Sequence, residues 1–132
     1  MLSVACGYAE SIGAKYVTLG NHFGDHAIYP DCRGTFIDSM NEAMAYGTYN
    51  NINIKSPFCR KTKADIVSIG HNLGIDMTNS YSCYKGGDIQ CGRCSTCFER
   101  REAFHEAGVE DKTEYIDKTN IYKLIQEYEK NL

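Results

Sequence analysis

Four of the seven cysteines in this chain, Cys83, Cys91, Cys94 and Cys97, fall within "SCYKGGDIQCGRCSTCFERR" at residues 82 to 101. Those at 91, 94 and 97 are separated by two residues each, and Cys83 lies eight positions upstream across "YKGGDIQ", where Gly86 and Gly87 permit a sharp return. Four soft ligands so spaced can converge on one tetrahedral ion, the arrangement that a structural zinc prefers. Gly92 lets the "CGRC" backbone fold tightly, and Cys97 lies near the start of a helix, where the dipole favours an anion. Four protein ligands leave no coordination position for water. Such an ion would therefore brace "SCYKGG" against the following helix and take no part in catalysis.

Other sulfur chemistry stays open at this point. A redox pair of the C-x-x-C type needs only two of the four cysteines. An iron–sulfur cluster can use C-x2-C-x2-C, but the bacterial run continues with a fourth cysteine three residues later and a proline, whereas Phe98 follows Cys97 here. Free or disulfide-bonded thiols are the remaining reading. An odd count of seven, with Cys6, Cys32 and Cys59 scattered, fits a reducing compartment better than a secreted disulfide scaffold.

Composition narrows the function classes. A chain of 132 residues, 42% hydrophobic and 23% charged, has the makeup of one soluble globular domain with a real core. No run approaches the roughly 18 apolar residues of a membrane span, and "MLSVACGYAESIGAKY" shows no basic leader, so the expected setting is cytoplasmic, with no membrane partner. The net charge is −3, and residues 99 to 132 account for it, with nine acidic against six basic side chains. Basic clusters are short, such as "RKTK" at 60 to 63, which reads as a solvated helix start with a lesser chance of touching a phosphate. Direct nucleic-acid binding is not expected.

The elements that must position these residues alternate. "MLSVACGYAESIGA" reads as a helix closed by Gly13, and "KYVTLG" as a short buried strand. "NHFGDHAIYPDCRG" is a loop leaving that strand's C-terminal end, where ligands favour binding. From Thr35, the residues Phe36, Ile37, Met40, Ala43 and Met44 recur at helical spacing until Gly47, and "NINIKSPF" supplies a second strand. In "TKADIVSIGHNLG", Thr62 and Asp65 have capping-box spacing, Ile66, Ile69 and Leu73 are expected on the packed face, and Gly74 closes the helix. Such alternation predicts a parallel sheet buried on both faces, and two strands are few enough to suggest part of a larger α/β domain. "CFERREAFHEAG" and "NIYKLIQEYEKN" are further helices, the latter with Ile121, Leu124, Ile125 and Tyr128 on one stripe that reads as core packing or a dimer contact.

"YPDCR" at 29 to 33, Asp25 in "GNHFGDHAIYPDCR", "SPFCRKTKADIVSIGHNLGI", "SCYKGG" and "CGRCSTCFERREAFHEAG" occur together and in order. In this combination the chain resembles the 7-cyano-7-deazaguanine synthase family of queuosine biosynthesis, from its first helix to about residue 111. The resemblance implies an adenine-nucleotide α-hydrolase-like, Rossmann-like α/β fold with a zinc-binding helical C-terminal region. It implies that Cys83, Cys91, Cys94 and Cys97 are the zinc ligands. It implies an activity as well: ATP activates the carboxylate of 7-carboxy-7-deazaguanine, ammonia converts it to an amide, and a second activation and dehydration give the 7-cyano product, preQ0. The family's SGGxDS phosphate loop is absent from this chain, and "YKGGD" follows no strand and opens no helix, so it cannot cradle a phosphate. The expectation is a truncated or split enzyme that works when completed by an N-terminal half, supplied as a separate chain; a homodimer is a second possibility.

Within the loop, Arg33 can fork onto a carboxylate or phosphate, Asp31 or Asp25 can accept from a purine-like edge, and Tyr29 can stack on it. Alternatively, Asp31 and Arg33 cap the helix beginning near Thr35 or pair with each other. Cys32 reads as a small buried thiol more readily than as a nucleophile. His22 and His26, four apart beside Asp25, suggest a second metal site less readily than ordinary loop histidines. Residues 1–81 are expected to form the α/β part and 82–132 the zinc-binding and helical region. Rival functions are a PP-loop relative acting on another carboxylate or a tRNA base, and a non-enzymatic zinc-stapled interaction module.

Overall fold

The computed structural model describes residues 1–130. Its main elements in chain order are α1 (Leu2–Ser11), β1 (Tyr16–Thr18), α2 (Gly34–Gly47), β2 (Asn53–Lys55), α3 (Lys63–Asn72), α4 (Ser95–Glu106) and α5 (Ile121–Glu129). Short 3-10 turns at Phe23–Ala27, Pro30–Cys32 and Met77–Asn79 punctuate the connections. The chain divides into two compact units between Thr62 and Lys63. Thus α3 and the segment up to residue 81, grouped with the α/β part in the sequence reading, pack within the unit that carries the cysteine cluster.

In the first unit, β1 and β2 pair in parallel with Tyr16 opposite Asn53 and Thr18 opposite Lys55. Parallel neighbours need a crossover, and α2 provides it. Val17 and Ile54 point to one face, where they meet Cys6 and Ala9 of α1, Ile37, Met40 and Met44 of α2, and the fully buried Ile52. Both helices cover that same face. Tyr16, Thr18, Asn53 and Lys55, on the other face, are exposed, and the Lys55 ammonium lies 5.1 Å from the Tyr16 ring centre. Among the described residues the two strands are covered on one face, and the residues alternating onto the second face are polar or amphipathic.

The two edges of this sheet differ. Asn41 of α2 donates through Nδ2 to the carbonyl of Ile54 at 2.8 Å and accepts from its N–H at 2.5 Å. A side-chain amide thus takes the place of a neighbouring strand on the far side of β2. On β1, the backbone groups of Tyr16 and Thr18 face away from β2 and form an open edge. Val4 and Tyr8 of α1, with Ile12 at its C-cap, form an exposed apolar stripe at four-residue spacing.

The second unit is helical. Val67 of α3 packs with Ala103 and Phe104 of α4, and Met77, Ala107 and Val109 complete the cluster. The packed face of α3 differs from the one expected. Leu73 is 70% exposed, whereas Val67 and Gly70 are buried. Ile66 and Ile69 are half-buried and Leu73 falls beyond the end of the helix; at Gly70 a Cβ would lie 3.2 Å from the Met77 sulfur, so the methionine occupies the groove that glycine leaves. In α5, Leu124 is buried and Ile121, Ile125 and Tyr128 are half-buried, so the expected stripe is the packed face. No helix among the described residues is long and apolar enough to cross a membrane.

Arg100 of α4 is buried, with no acidic partner among the described residues. Its terminal nitrogens donate to Ser80 Oγ at 2.7 Å, the Met77 carbonyl at 2.8 Å and Thr113 Oγ1 at 2.9 Å. Its guanidinium also lies 5.1 Å from the Phe104 ring centre. It thereby anchors the turn at Met77–Asn79, which Asp76 opens by accepting from Thr78 N at 3.0 Å and Thr78 Oγ1 at 2.6 Å. Those Thr78 bonds hold the Asp76 carboxyl below its usual range. A depressed folded-state value stabilises the fold above the unfolded carboxylate range and loses that contribution as pH falls. Asp76→Asn is expected to lower the thermal midpoint at pH 7, with the difference from wild type closing below about pH 4, where the unfolded carboxylate also protonates; melting curves from pH 3 to 7 read this directly.

Candidate metal centre and substrate loop

At the C-terminal ends of β1 and β2, the two outgoing loops are tied together. Asn21 Nδ2 donates to the Cys32 carbonyl at 2.7 Å, and Ser56 Oγ donates to Asn21 Oδ1 at 2.6 Å. Cys59 Sγ lies 3.4 Å from His26 Nε2. His22 opens the first turn of the loop: its Nδ1 accepts from Gly24 N at 3.0 Å, while its own N–H donates to Asp25 Oδ2 at 3.0 Å. Asp25 and the two histidines are therefore engaged in shaping the loop, and the histidines do not converge on a common point with it to form a metal cluster among the described residues.

The remaining loop residues are presented outward. Tyr29, Asp31 and Arg33 are exposed. Arg33 Nε donates to the His26 carbonyl at 2.9 Å, and its terminal nitrogens hold no partner among the described residues. Arg33 is the N-cap residue of α2 but makes no side-chain cap bond, and Asp31 neither caps the helix nor pairs with Arg33. Cys32 is half-buried; burial, followed by the nearby charges of Asp25 and Asp31, pushes its thiol up, which opposes a nucleophilic role.

In the second unit the four expected ligand residues meet. The sulfurs of Cys83, Cys91, Cys94 and Cys97 all lie within 4.8 Å of one another, with Cys83 and Cys97 buried. All seven cysteines are free thiols. A tetrahedral ion with four sulfurs at ~2.3 Å sets sulfur–sulfur separations of about 3.8 Å, and the Cys91–Cys97 pair stands at 3.9 Å. The site fits a thiolate-bound metal. Cys83 enters it from a turn through Gly86 and Gly87, both at positive φ. Buried Gln90 fixes that segment by accepting from Ser82 N at 2.9 Å and donating to the Ser80 carbonyl at 3.2 Å.

Electrostatics separate the ligands. An N–H bond from Cys91 leads the effects that lower the Cys83 thiol. Burial opposes ionisation of Cys94, but the Thr96 hydroxyl and the N–H groups of Cys97 and Tyr84 outweigh it and bring that thiol to about 5. Burial dominates at Cys97 and pushes it up to about 12. Cys94 is the N-cap residue of α4, and Cys97 lies in its first turn as the sequence placed it.

Gly92 holds the turn between the ligands at φ 78, a left-handed conformation. A Cβ there would lie 2.6 Å from the Asp117 carbonyl oxygen and 2.9 Å from Tyr115 Cβ. The later chain thus runs directly against the cysteine turn, with Tyr115 buried beside Cys83 and Cys97. Arg93, exposed between the ligands, donates to Asp117 Oδ2 at 2.8 Å and pairs with Glu127. Sequence reasoning missed Gln90, Arg93, Arg101 and Tyr115, whose partners lie far away in the chain; only Gly92 carried a local signal.

The first unit is a parallel α/β fold with an exposed loop at its strand ends, and the second carries a cluster of four cysteines that could hold a metal ion. The sequence narrows this class further: the family model described as "Queuosine biosynthesis protein QueC" matches residues 1–108, and the chain belongs to that family. A Porphyromonas gingivalis (strain W83) protein named 7-cyano-7-deazaguanine synthase is 56% identical over 115 residues, covering 87% of this chain and 52% of that protein. Proteins of the same name from Allorhizobium ampelinum and Caldicellulosiruptor bescii are 50% identical over 119 residues and 45% identical over 115 residues. These cover 89% and 87% of this chain, and 51% and 52% of those proteins. The chain spans about half the length of the curated relatives it matches. The resemblance read from "YPDCR" and the cysteine spacing is borne out.

Gly92→Ala is expected to destabilise the second unit by about 2 kcal/mol or more, since the left-handed conformation alone costs a non-glycine residue ~1–2 kcal/mol and the added methyl meets backbone. A lowered urea midpoint for the metal-loaded chain checks this.

Proposed function

We propose that this chain acts as part of a 7-cyano-7-deazaguanine synthase, which converts 7-carboxy-7-deazaguanine and ammonia to preQ0 at the expense of ATP. The carrying observation is 56% identity across most of the chain to a protein bearing that name. The open edge of β1 and the apolar stripe on α1 support completion by a further α/β half, which would bring the SGGxDS phosphate loop. Arg33, with its terminal nitrogens unpartnered, suits the substrate carboxylate or an ATP phosphate. Tyr29 offers a face for the deazapurine, Asp31 offers an acceptor for its N–H edge, and Asp25 holds the loop that presents them. A cytoplasmic setting, which supplies ATP and keeps thiols reduced, suits this reading.

Cys83, Cys91, Cys94 and Cys97 would hold a Zn²⁺ ion, which supplies structural bracing and no reacting group, since four protein ligands fill its coordination sphere. The thiolates would hold the segment before α4 in place.

Mass spectrometry of the chain with ATP, ammonia and 7-carboxy-7-deazaguanine, alone and mixed with an SGGxDS-containing half of a relative, tests the activity. Product in the mixture is expected; no product in either arm from a folded, zinc-bound chain would reject the enzymatic reading and favour an interaction module. Cys94→Ser is expected to bind zinc far below one equivalent and to lower the thermal midpoint, because metal binding and folding are coupled. Elemental analysis showing no zinc in a stable wild-type chain would refute the structural-zinc role.

A further inference from the structure

Three peptide units in the cysteine turn are held at both ends. The N–H of Cys91 donates to Cys83 Sγ at 3.3 Å, while the carbonyl of the same peptide, on Gln90, accepts from Ile116 N at 2.9 Å. The N–H of Arg93 donates to Cys91 Sγ at 3.4 Å, and the Gly92 carbonyl of that peptide accepts from Arg101 at 3.0 Å. The N–H of Cys94 donates to Cys91 Sγ at 3.2 Å, and the Arg93 carbonyl accepts from the Tyr128 hydroxyl at 3.0 Å. A peptide unit is planar, so fixing the direction of its carbonyl fixes the direction of its N–H. Asp117 N also donates to the Cys91 carbonyl at 3.1 Å, which fills the last gap in the row.

The donors on the carbonyl side are themselves braced. Arg101 donates to the Thr119 carbonyl as well, and its guanidinium lies 5.0 Å from the Tyr115 ring centre. Tyr128 stacks on Phe98 with ring centres 3.9 Å apart and planes 7° from parallel. Arg93 ties the turn to Asp117 and Glu127. Except for Arg101, every donor to these carbonyls lies beyond residue 108, where the family model's match ends.

We propose that residues 115–128, with Arg101, form a clasp that aims three peptide N–H groups at the sulfur ligands and sets how long the centre retains its ion. Arg93, Arg101 and Tyr128 are positioning residues for the metal: they touch no sulfur through their side chains, but they orient the dipoles that stabilise thiolate charge. The inference rests on reading the centre as a zinc site.

The test is metal release from the zinc-loaded chain into excess 4-(2-pyridylazo)resorcinol, followed by absorbance. Tyr128→Phe removes one donor while keeping the ring that stacks on Phe98, and Arg93→Ala removes the ties to Asp117 and Glu127. Both are expected to release zinc on the order of tenfold faster than wild type, the low end of the effect of losing an outer partner of a metal ligand. Tyr122→Phe, an exposed tyrosine on the same helix, should release at the wild-type rate, and Arg93→Lys, which keeps one ion pair, should recover part of the loss. With Co²⁺ in place of zinc, Tyr128→Phe should keep the intensity of the sulfur-to-metal charge-transfer bands but shift them to lower energy, as a weakened N–H···S bond requires. Unchanged release and unchanged bands would overturn the clasp and leave the zinc reading standing. A wild-type chain that loads neither zinc nor Co²⁺ would overturn both.

Discussion

Bringing four sulfurs within 4.8 Å of one another is the constraint around which the second unit is organised. The unit has no extended sheet, and its apolar cluster is small, centred on Val67, Ala103 and Phe104. Its remaining order comes from polar bonds that converge on the cysteine turn. Gln90 fixes the approach to Cys83, Arg100 anchors the turn at Met77–Asn79, and the chain after Tyr115 closes over Gly92. Each of these contacts joins segments that local propensity would leave apart. A cation that neutralises the thiolates would turn a crowded, mutually repelling group into the most strongly bonded point of the unit.

The first unit works by a different principle. Its strands are only three residues long, and they are held by two helices on one face and by a side-chain amide on one edge. The loops that leave their C-terminal ends are stiffened by Asn21, Ser56 and the His22–Asp25 capping box, so Tyr29, Asp31 and Arg33 project from a fixed frame.

Much of this was legible in the sequence where the governing physics is local. The ligand quartet followed from spacing, the parallel strands from alternation with helices, and the α5 stripe from its period. The failures have one origin, which is contact with distant chain. Leu73 was expected on the packed face of α3, but it falls beyond the end of the helix, and Met77 fills the groove at Gly70. Arg101 reaches the cysteine turn from a position that no periodic pattern marks, and the α5 stripe placed the Tyr128 ring without indicating the bond its hydroxyl makes to the Arg93 carbonyl.

The asymmetry between the sheet's two edges has a consequence for how copies of this chain meet at high concentration. A sheet with two open edges can add neighbours indefinitely, which is the geometry of a fibre. Here Asn41 occupies the backbone groups of Ile54, so strand addition is confined to β1. Two copies that paired through β1 would consume both open edges and present none to a third. One asparagine on α2 thus leaves this sheet a single edge at which a further strand could add.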